Sequence, residues 1–405
     1  MLEEMGNPQE GLKYVHIAGT NGKGSTSLII ADVLIKAGYK VGRFTSPHLH
    51  SYSERFTVDG LEIRDEIFDS LLDSIEKHIQ VMIKRGESHP TEFEVLTAVA
   101  FQYFKNEKVD VVVLEVGMGG SYDSTNVIIP LVSVITGVDF DHTAYLGTTL
   151  EEIAANKAGI IKSGVPVIAG IMEDEALRVI KNQARLLGAQ LYQSSQIMLT
   201  HAVSPNLDAQ FLNIEGKGLK MDGVEFSLCG DYQLRNLAVA LTALRVMEGM
   251  GYRVDEPTIR RSLSGLSIPG RLEVINRMPL VIADAAHNPQ GALALADSLD
   301  LLLPGRKKVL VFGLVDDKDR DSILRSMGRN TKIAVVTRPH GPRGTTWHEV
   351  KELWQDIYPD IEVIDIKSIT KAVNKGLELL QEDEYMVITG SFYVLDEARK
   401  VLINN

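Results

Sequence analysis

Cysteine is almost absent from the chain: Cys229 is the only one in 405 residues. A single thiol excludes an internal disulfide framework and a thiolate metal cluster, and it is expected to be a small buried hydrophobe in a reducing cytoplasm. Positive charge is also in deficit, with 42 Lys and Arg against 54 Asp and Glu and a net charge of -12. With no basic run interleaved with aromatics, this argues against nucleic-acid partners. No apolar run approaches membrane-spanning length, and residues 1–9 are acidic and lack the apolar core of a signal peptide. A soluble cytoplasmic protein without a membrane partner is therefore expected. At this length, with 44% hydrophobic residues, two domains with well-buried cores are expected.

What is present centres on residues 14–38. Tyr14, Val15, His16, Ile17 and Ala18 read as a buried strand, and glycines follow at once. Gly19, Gly22 and Gly24 let successive N–H groups turn toward one anion, and an apolar helical spacing begins at Ser25. Lys23 offers a mobile charge for phosphate oxygens, while Ser25 and Thr26 offer hydroxyls. With Thr20 and Asn21 between the glycines, the stretch reads as a nucleotide phosphate cradle. It is not the standard P-loop, because Ile17 stands where the first glycine belongs and Gly24 where the hydroxyl belongs.

Further along, residues 40–44 read as a strand that runs into Thr45, Ser46, Pro47 and His48. Loops at carboxyl ends of strands collect ligands in α/β sheets, so Ser46 and His48 are candidates, although alone they read as turn residues. Helical stretches are expected over 63–85 and 92–104, with Thr91 and Phe93 open to reading as a helix cap and a core side chain. Residues 109–116 form the most strand-like run, and Glu115 is out of place within it. Burying a carboxylate costs several kcal/mol unless it is paired or metal-bound, which leaves metal ligand and structural ion pair as its two readings. A strand over 131–138 leads into Asp139, Asp141 and His142, and delivers His142 to the same sheet edge as Glu115. Thr149 and Glu152 make a capping box that starts a helix. Lys157 falls on its last turn, where a lysine ordinarily complements the helix dipole.

Past a strand near 165 and a helix over 173–187, short alternating segments from 190 to 228 suggest a β-rich flank. A helix opens at residues 230–236, in which Asn236 alone reads as a surface amide. The domain boundary is expected near 267–271, giving domains of 1–267 and 268–405. Beyond it, strands over 280–284, 308–313, 332–337, 361–364 and 385–389 alternate with helices, the pattern of a doubly wound parallel sheet. Asp284, His287 and Ser391 fall at strand ends, where isolated polar residues are often plain loop groups.

Several of these stretches carry a resemblance. Gly19 to Ser25 reads G-T-N-G-K-G-S, a variant found in the Mur ligase superfamily and particularly in folylpolyglutamate and dihydrofolate synthases. F-T-S-P-H-L at 44–49, the segment of Thr91 and Phe93, G-G-S-Y-D-S-T-N at 119–126, the segment from Leu146 to Lys162, G-D-Y-Q-L-R-N at 230–236, P-G-R at 269–271, D-A-A-H-N-P at 284–289, D-K-D at 317–319 and T-G-S at 389–391 resemble motifs of that family in order. The resemblance implies a P-loop-type domain with a mostly parallel sheet and β-rich flank, followed by a smaller Rossmann-like domain. It also implies an ATP- and Mg2+-dependent ligase that adds L-glutamate to a folate-type carboxylate through an acyl phosphate, as a monomer.

By the same resemblance, Ser46, Glu115 and His142 hold Mg2+, and Lys157 is a lysine carbamylated by carbon dioxide that helps hold a second ion. Lys23, Lys157 and His142 carry the chemistry. Asn236 meets the adenine, and Arg271 and Asp284 complete the nucleotide site. Thr91, Phe93, Asp123 and Ser124 face the folate-type acid, while His287 and Ser391 line the amino-acid site. Four departures stand out. Ser121 replaces an arginine, Asn156 a glutamate, Tyr232 a histidine and Ala285 a glycine. The chain begins just before the cradle, so an upstream helix and loop that help bind the pterin in many relatives are expected to be missing. The alternatives are a ligase of the same chemistry acting on a non-folate acid, and a nucleotide-binding regulator.

Overall fold

Short runs of β-branched residues become strands because their stiff side chains suit a half-buried pleated surface. In the computed structural model, which describes residues 1–341 and 343–403, eight strands build one sheet, most of them carrying such residues. They are β1 (Tyr14–Ala18), β2 (Val41–Phe44), β3 (Phe56–Val58), β4 (Leu61–Glu62), β5 (Val111–Glu115), β6 (Val132–Ile135), β7 (Val167–Ala169) and β8 (Leu191–Gln193). Their order is β4-β3-β2-β5-β1-β6-β7-β8. From β2 to β8 the neighbours are parallel, and β3 and β4 fold back antiparallel at one edge. The sheet thus places β1 between β5 and β6. β5 and β6 both run parallel to β1, so Glu115 and the loop carrying His142 leave the same carboxyl edge of the sheet, as the pattern of successive strands suggested, one on each side of the cradle.

Helices cover both faces. They are α1 (Lys23–Lys36), α2 (Asp65–Lys84), α3 (Glu92–Glu107), α4 (Thr143–Leu146), α5 (Leu150–Ala158), α6 (Asp174–Leu186), α7 (Asp231–Glu248) and α8 (Glu256–Leu263). Alternate residues of β5 serve opposite cores: Val111 and Val113 pack with α1 and α7, whereas Val112 and Leu114 pack with α2 and α3. The β-rich flank is divided. β8 joins the large sheet, and β9 (Met198–His201), β10 (Gln210–Gly216) and β11 (Leu219–Phe226) form a separate antiparallel sheet over α1 and α7.

The second unit has six strands where the pattern showed five. β12 (Glu273–Arg277), β13 (Leu280–Ala283), β14 (Lys308–Phe312), β15 (Thr331–Val336), β16 (Glu362–Asp365) and β17 (Tyr385–Thr389) lie in the order β12-β13-β17-β14-β15-β16. The extra strand, β12, is antiparallel to β13. It was hidden because its residues are half-buried or exposed, as suits an edge. Helices α9 (Pro289–Leu302), α10 (Arg320–Met327) and α11 (Glu349–Ile357) cover one face, and α12 (Ile369–Leu379) and α13 (Phe392–Ile403) the other. Each face also receives a side chain from the first unit, Cys229 on one and Leu49 on the other. No helix among the described residues is long and apolar enough to cross a membrane.

Candidate functional site

The cradle is shaped by close approach. At Gly19, with φ of 154°, a Cβ would lie 1.9 Å from Thr136 Oγ1; at Gly22, with φ of 83°, it would lie 2.1 Å from Asn236 Oδ1. Only glycine fits either place. Gly22 then opens α1, whose first N–H groups have no side-chain cap and remain available to an anion. Lys23 folds back over the turn, its Nζ donating to Gly19 O at 3.0 Å. Thr136 Oγ1 donates to Asn21 O at 2.6 Å, and Thr20 exchanges hydrogen bonds of 3.0 Å with the Asp139 backbone. Ser25 and Thr26 are buried. Asn236, read alone as a surface amide, is also buried; it donates to Gln233 Oε1 at 2.9 Å and abuts Gly22.

Beside the cradle, the end of β5 presents Glu115, which is 3% exposed. Its Oε2 has no hydrogen-bond partner and lies 3.7 Å from the place a Cβ would take at Gly24. Burial pushes this carboxyl up to about 7, against the opposing pull of Lys23, Arg43, Arg271 and the Ser46 backbone N–H. Thr26 Oγ1 is likewise buried without a partner. Among the described residues, no three His, Cys, Asp or Glu side chains gather as a metal-binding group. A magnesium ion here would therefore take only part of its ligands from such side chains. The unpartnered hard oxygens at Glu115 and Thr26 suit such an ion.

Lys157 is 2% exposed, and its side-chain ammonium makes no hydrogen bond among the described residues. Burial, reinforced by Lys23, brings its ammonium down to about 7, and Asp141 opposes the shift. A substantial fraction of the amine is thus neutral near pH 7. His142 takes a left-handed backbone, with φ of 49°, at the start of α4.

The loops of the second unit reach across to the first. Asn288 Nδ2 donates to Asn21 Oδ1 at 3.0 Å and to Asp141 Oδ2 at 3.1 Å, and Asn21 Nδ2 donates to Gln290 Oε1 at 2.7 Å. Lys318 is ion-paired with Asp141. Burial alone would raise the Asp141 carboxyl, but Lys318, His142 and Asn288 hold it well below the usual carboxylate range. His287 donates from Nδ1 to Ala285 O at 2.7 Å, which leaves Nε2 bare, 3.8 Å from Asp141. Burial is the main reason its proton affinity falls to about 4. Asp284 is fully engaged, accepting from Leu272 N–H at 2.8 Å, Ala286 N–H at 2.8 Å and Tyr232 OH at 3.1 Å. Arg271 stacks on Phe392, 5.1 Å from the ring centroid, and Ser391 Oγ accepts from Val394 N–H at 3.3 Å at the start of α13.

The remaining candidates lie on one side of this centre. Phe93 packs over Gly117, just past Glu115, and 5.8 Å from Phe44. Thr91 is exposed and forms a capping box with Glu94. Asp123 accepts from Met118 N–H at 2.9 Å and from Thr125 N–H at 3.0 Å, while Ser124 Oγ lies 3.0 Å from Thr97 Oγ1. Two of the departures touch: Ser121 donates through N–H and Oγ to Asn156 O, at 2.9 and 3.0 Å. Reasoning from sequence did not single out Arg43, Thr136, Gln290 or Lys318. Arg43 carried a signal, a charge inside an apolar strand, and Lys318 stood in a noted motif; Thr136 and Gln290 carried none.

The family model described as Mur ligase middle domain matches residues 17–244, and that described as Mur ligase, glutamate ligase domain, matches residues 270–392. The first spans the large sheet and cradle, the second nearly all of the six-stranded sheet, so both units are those of a Mur ligase. The chain belongs to the folylpolyglutamate synthase/dihydrofolate synthase family of these ligases. It is 33% identical to the dihydrofolate synthase/folylpolyglutamate synthase of Bacillus subtilis, over 99% of this chain and 93% of that protein. It is also 33% identical to the folylpolyglutamate synthase of Lacticaseibacillus casei, over 100% of this chain and 93% of that one. The folylpolyglutamate synthase of Mycobacterium tuberculosis, solved with ADP and AMPPCP, superposes with a TM-score of 0.91 at 32% identity, covering 99% of this chain and 93% of that one.

Proposed function

We propose that this protein joins L-glutamate to a folate-type carboxylate, using ATP and passing through an acyl phosphate. The observation that carries the reading is Glu115 Oε2, a buried carboxylate oxygen left without a partner beside Gly24 of the phosphate cradle. A structural ion pair would have satisfied it; a place for a cation at the phosphates explains why it is bare. Relatives support the substrates, since a solved FPGS holds AMPPCP and folate and superposes with a TM-score of 0.87 at 32% identity, covering 99% of this chain and 93% of that one.

In this reading Gly19, Thr20, Asn21, Gly22, Gly24, Ser25 and Thr26 turn their backbone and hydroxyls to the triphosphate, with Lys23 over it. Asn236, Arg271 and Asp284 complete the nucleotide site. Ser46, Glu115, His142 and a carbamylated Lys157 hold Mg2+, which when bound offsets charge developing on the transferring phosphoryl group. Thr91, Phe93, Asp123 and Ser124 frame the acid. Its carboxylate oxygen displaces ADP from the γ-phosphorus, and the glutamate amine then attacks the acyl carbon, releasing phosphate and a proton. His287, whose Nε2 is a free acceptor, and Ser391 orient that amine. The two units divide at residues 267 and 268 and close about Pro269–Gly270 to exclude water. The protein acts as a monomer in the cytoplasm, in keeping with its one reduced, buried cysteine.

A second reading, a ligase for a non-folate acid, draws on Ser121. Its hydroxyl is turned onto Asn156 O, so this position offers the acid no positive charge. Phosphate release from ATP and Mg2+ should be followed with glutamate plus dihydropteroate, with glutamate plus tetrahydrofolate, and with neither. Stimulation by one pterin acid, with a product heavier by one glutamyl residue, establishes the first reading. Stimulation by neither, in a protein that binds ATP, overturns it in favour of the second.

A further inference from the structure

The loop after β2 crosses from one unit to the other. Ser46 lies at its start, where its backbone N–H faces the Glu115 carboxyl and favours its charged form. Three residues on, Leu49 is 8% exposed and is the one first-unit side chain, among the described residues, in the apolar cluster beneath α12 and α13. His50 follows. Its Nδ1–H donates to Asp396 at 2.6 Å, and its Nε2 accepts from Arg399, so both ring nitrogens are committed to α13. Arg399 in turn donates to both oxygens of Glu273, at 3.0 and 2.8 Å. Glu273 then accepts from the Gly270 N–H at 2.8 Å, within the linker and one residue before Arg271.

The loop is stiff in its own right. Glu54 accepts from the N–H groups of Leu49, His50 and Ser51, at 2.7, 2.7 and 2.9 Å. Arg55 Nε donates to His48 Nδ1 at 2.9 Å, and the Thr45 N–H donates to Arg55 O at 3.1 Å. A loop held at so many points passes on a displacement instead of absorbing it. Its far end is anchored on α13, the helix that begins next to Ser391.

We infer that residues 46–55 form a strap whose anchor on Arg399 shares a pivot with the linker, and that Leu49, His50 and Arg399 are positioning residues. The strap sets where Ser391 and Arg271 stand relative to Ser46 and Glu115. Swinging of the second unit is thereby limited to rotation about the one region where strap, α13 and linker meet. Its effect on turnover rests on the ligase reading above; its effect on geometry does not.

The test uses the full chain in a Cys229→Ser background, with spin labels on Lys77→Cys and Glu352→Cys, exposed helix positions of the two units. With ADP bound, the parent should give one narrow inter-label distance distribution. Arg399→Met and His50→Ala should broaden it and lower glutamate-dependent kcat by about tenfold or more, since misplacing reacting groups by about 1 Å costs up to about 100-fold. ADP affinity should fall by much less than kcat, because the cradle is built on β1 and α1 and only Arg271 and Asp284 of the nucleotide site move with the second unit. His50→Asn, which keeps a donor for Asp396, should recover most of both losses. Distance distributions unchanged from the parent overturn the strap, as does a loss of ADP affinity in proportion to kcat, the sign of a merely structural contact. A parent with no glutamate-dependent turnover defeats the ligase reading, and the label distances then decide the strap alone.

Discussion

Lys318 of the second unit is ion-paired with Asp141 of the first, and the two side chains are only 6% and 9% exposed. The loops after β14 and β6 are thereby joined across the cleft, next to the Asn288 bridge to the cradle. Removing one partner of a buried pair strands the other charge away from water, at about 3 kcal/mol. Lys318→Met or Asp141→Asn alone should therefore lower urea-unfolding stability by that order. The double variant should lose less than either single change implies, and additive losses would show that the two groups are not coupled.

Gly22 is the tightest test of the cradle. Gly22→Ala places a methyl against Asn236 and asks alanine to hold a positive φ, at about 1–2 kcal/mol for the backbone alone. ADP affinity measured by calorimetry should fall at least about tenfold. Gly24→Ala meets only Glu115 Oε2, at an ordinary contact distance of 3.7 Å, and should cost less stability.

Glu115 should be a residue that function needs and stability does not. Glu115→Gln removes a buried, unpartnered carboxylate oxygen, so the metal-free protein should melt at a higher temperature than the parent. Mg2+ should raise the melting temperature of the nucleotide-bound parent and leave that of the variant unmoved. An equal Mg2+ response in both would remove Glu115 from the metal set.

Lys157 should react with carbon dioxide, because a buried amine brought down to about 7 keeps a neutral fraction at physiological pH. Protein equilibrated with 13C-bicarbonate should show a carbamate carbon resonance that is missing in Lys157→Arg. A spectrum without that resonance in the parent, at neutral or mildly alkaline pH, would rule the modification out.

His16 sets an acid limb of stability. Thr125 donates its one hydroxyl hydrogen to Asp123, so His16 Nε2–H donates to Thr125 and Nδ1 stays bare. Burial, aided by Lys162, lowers its proton affinity to about 3, against about 6.5 in an unfolded chain. The unfolded chain therefore takes the proton first. Stability from this group is complete above about pH 6.5 and is lost as pH falls toward 3, with about 2 kcal/mol gone by pH 5. Unfolding midpoints at pH 7 and 5 should differ by less in His16→Gln than in the parent.

What could be read from the sequence was what is local. Tyr385–Thr389 is a strand in full, Thr149 and Glu152 cap α5 as their spacing demands, and Glu115 betrayed itself as a carboxylate in an apolar run. Lys157 did not: its place on a last helical turn has an ordinary explanation, and only the surrounding motif marked it. The Lys318 contact joins residues 177 apart, so no window of sequence contains it. Asn236 stands on a helix whose buried face depends on Gly22, which a helical pattern alone does not reveal. β12 escaped because an edge strand lacks the apolar alternation that marks an inner one.

Leu49 and Cys229 enter the second unit from opposite faces, one beneath α13 and the other beside α9. A cut in the linker would therefore not yield two finished proteins, since the carboxyl-terminal part would keep its own strands and helices but lose a plug from each side of its sheet. Exchange of that part between relatives cannot respect the linker alone. It has to carry the matching Ser46 loop and the turn before α7, so what is inherited together is a set of contacts that the order of the chain does not show.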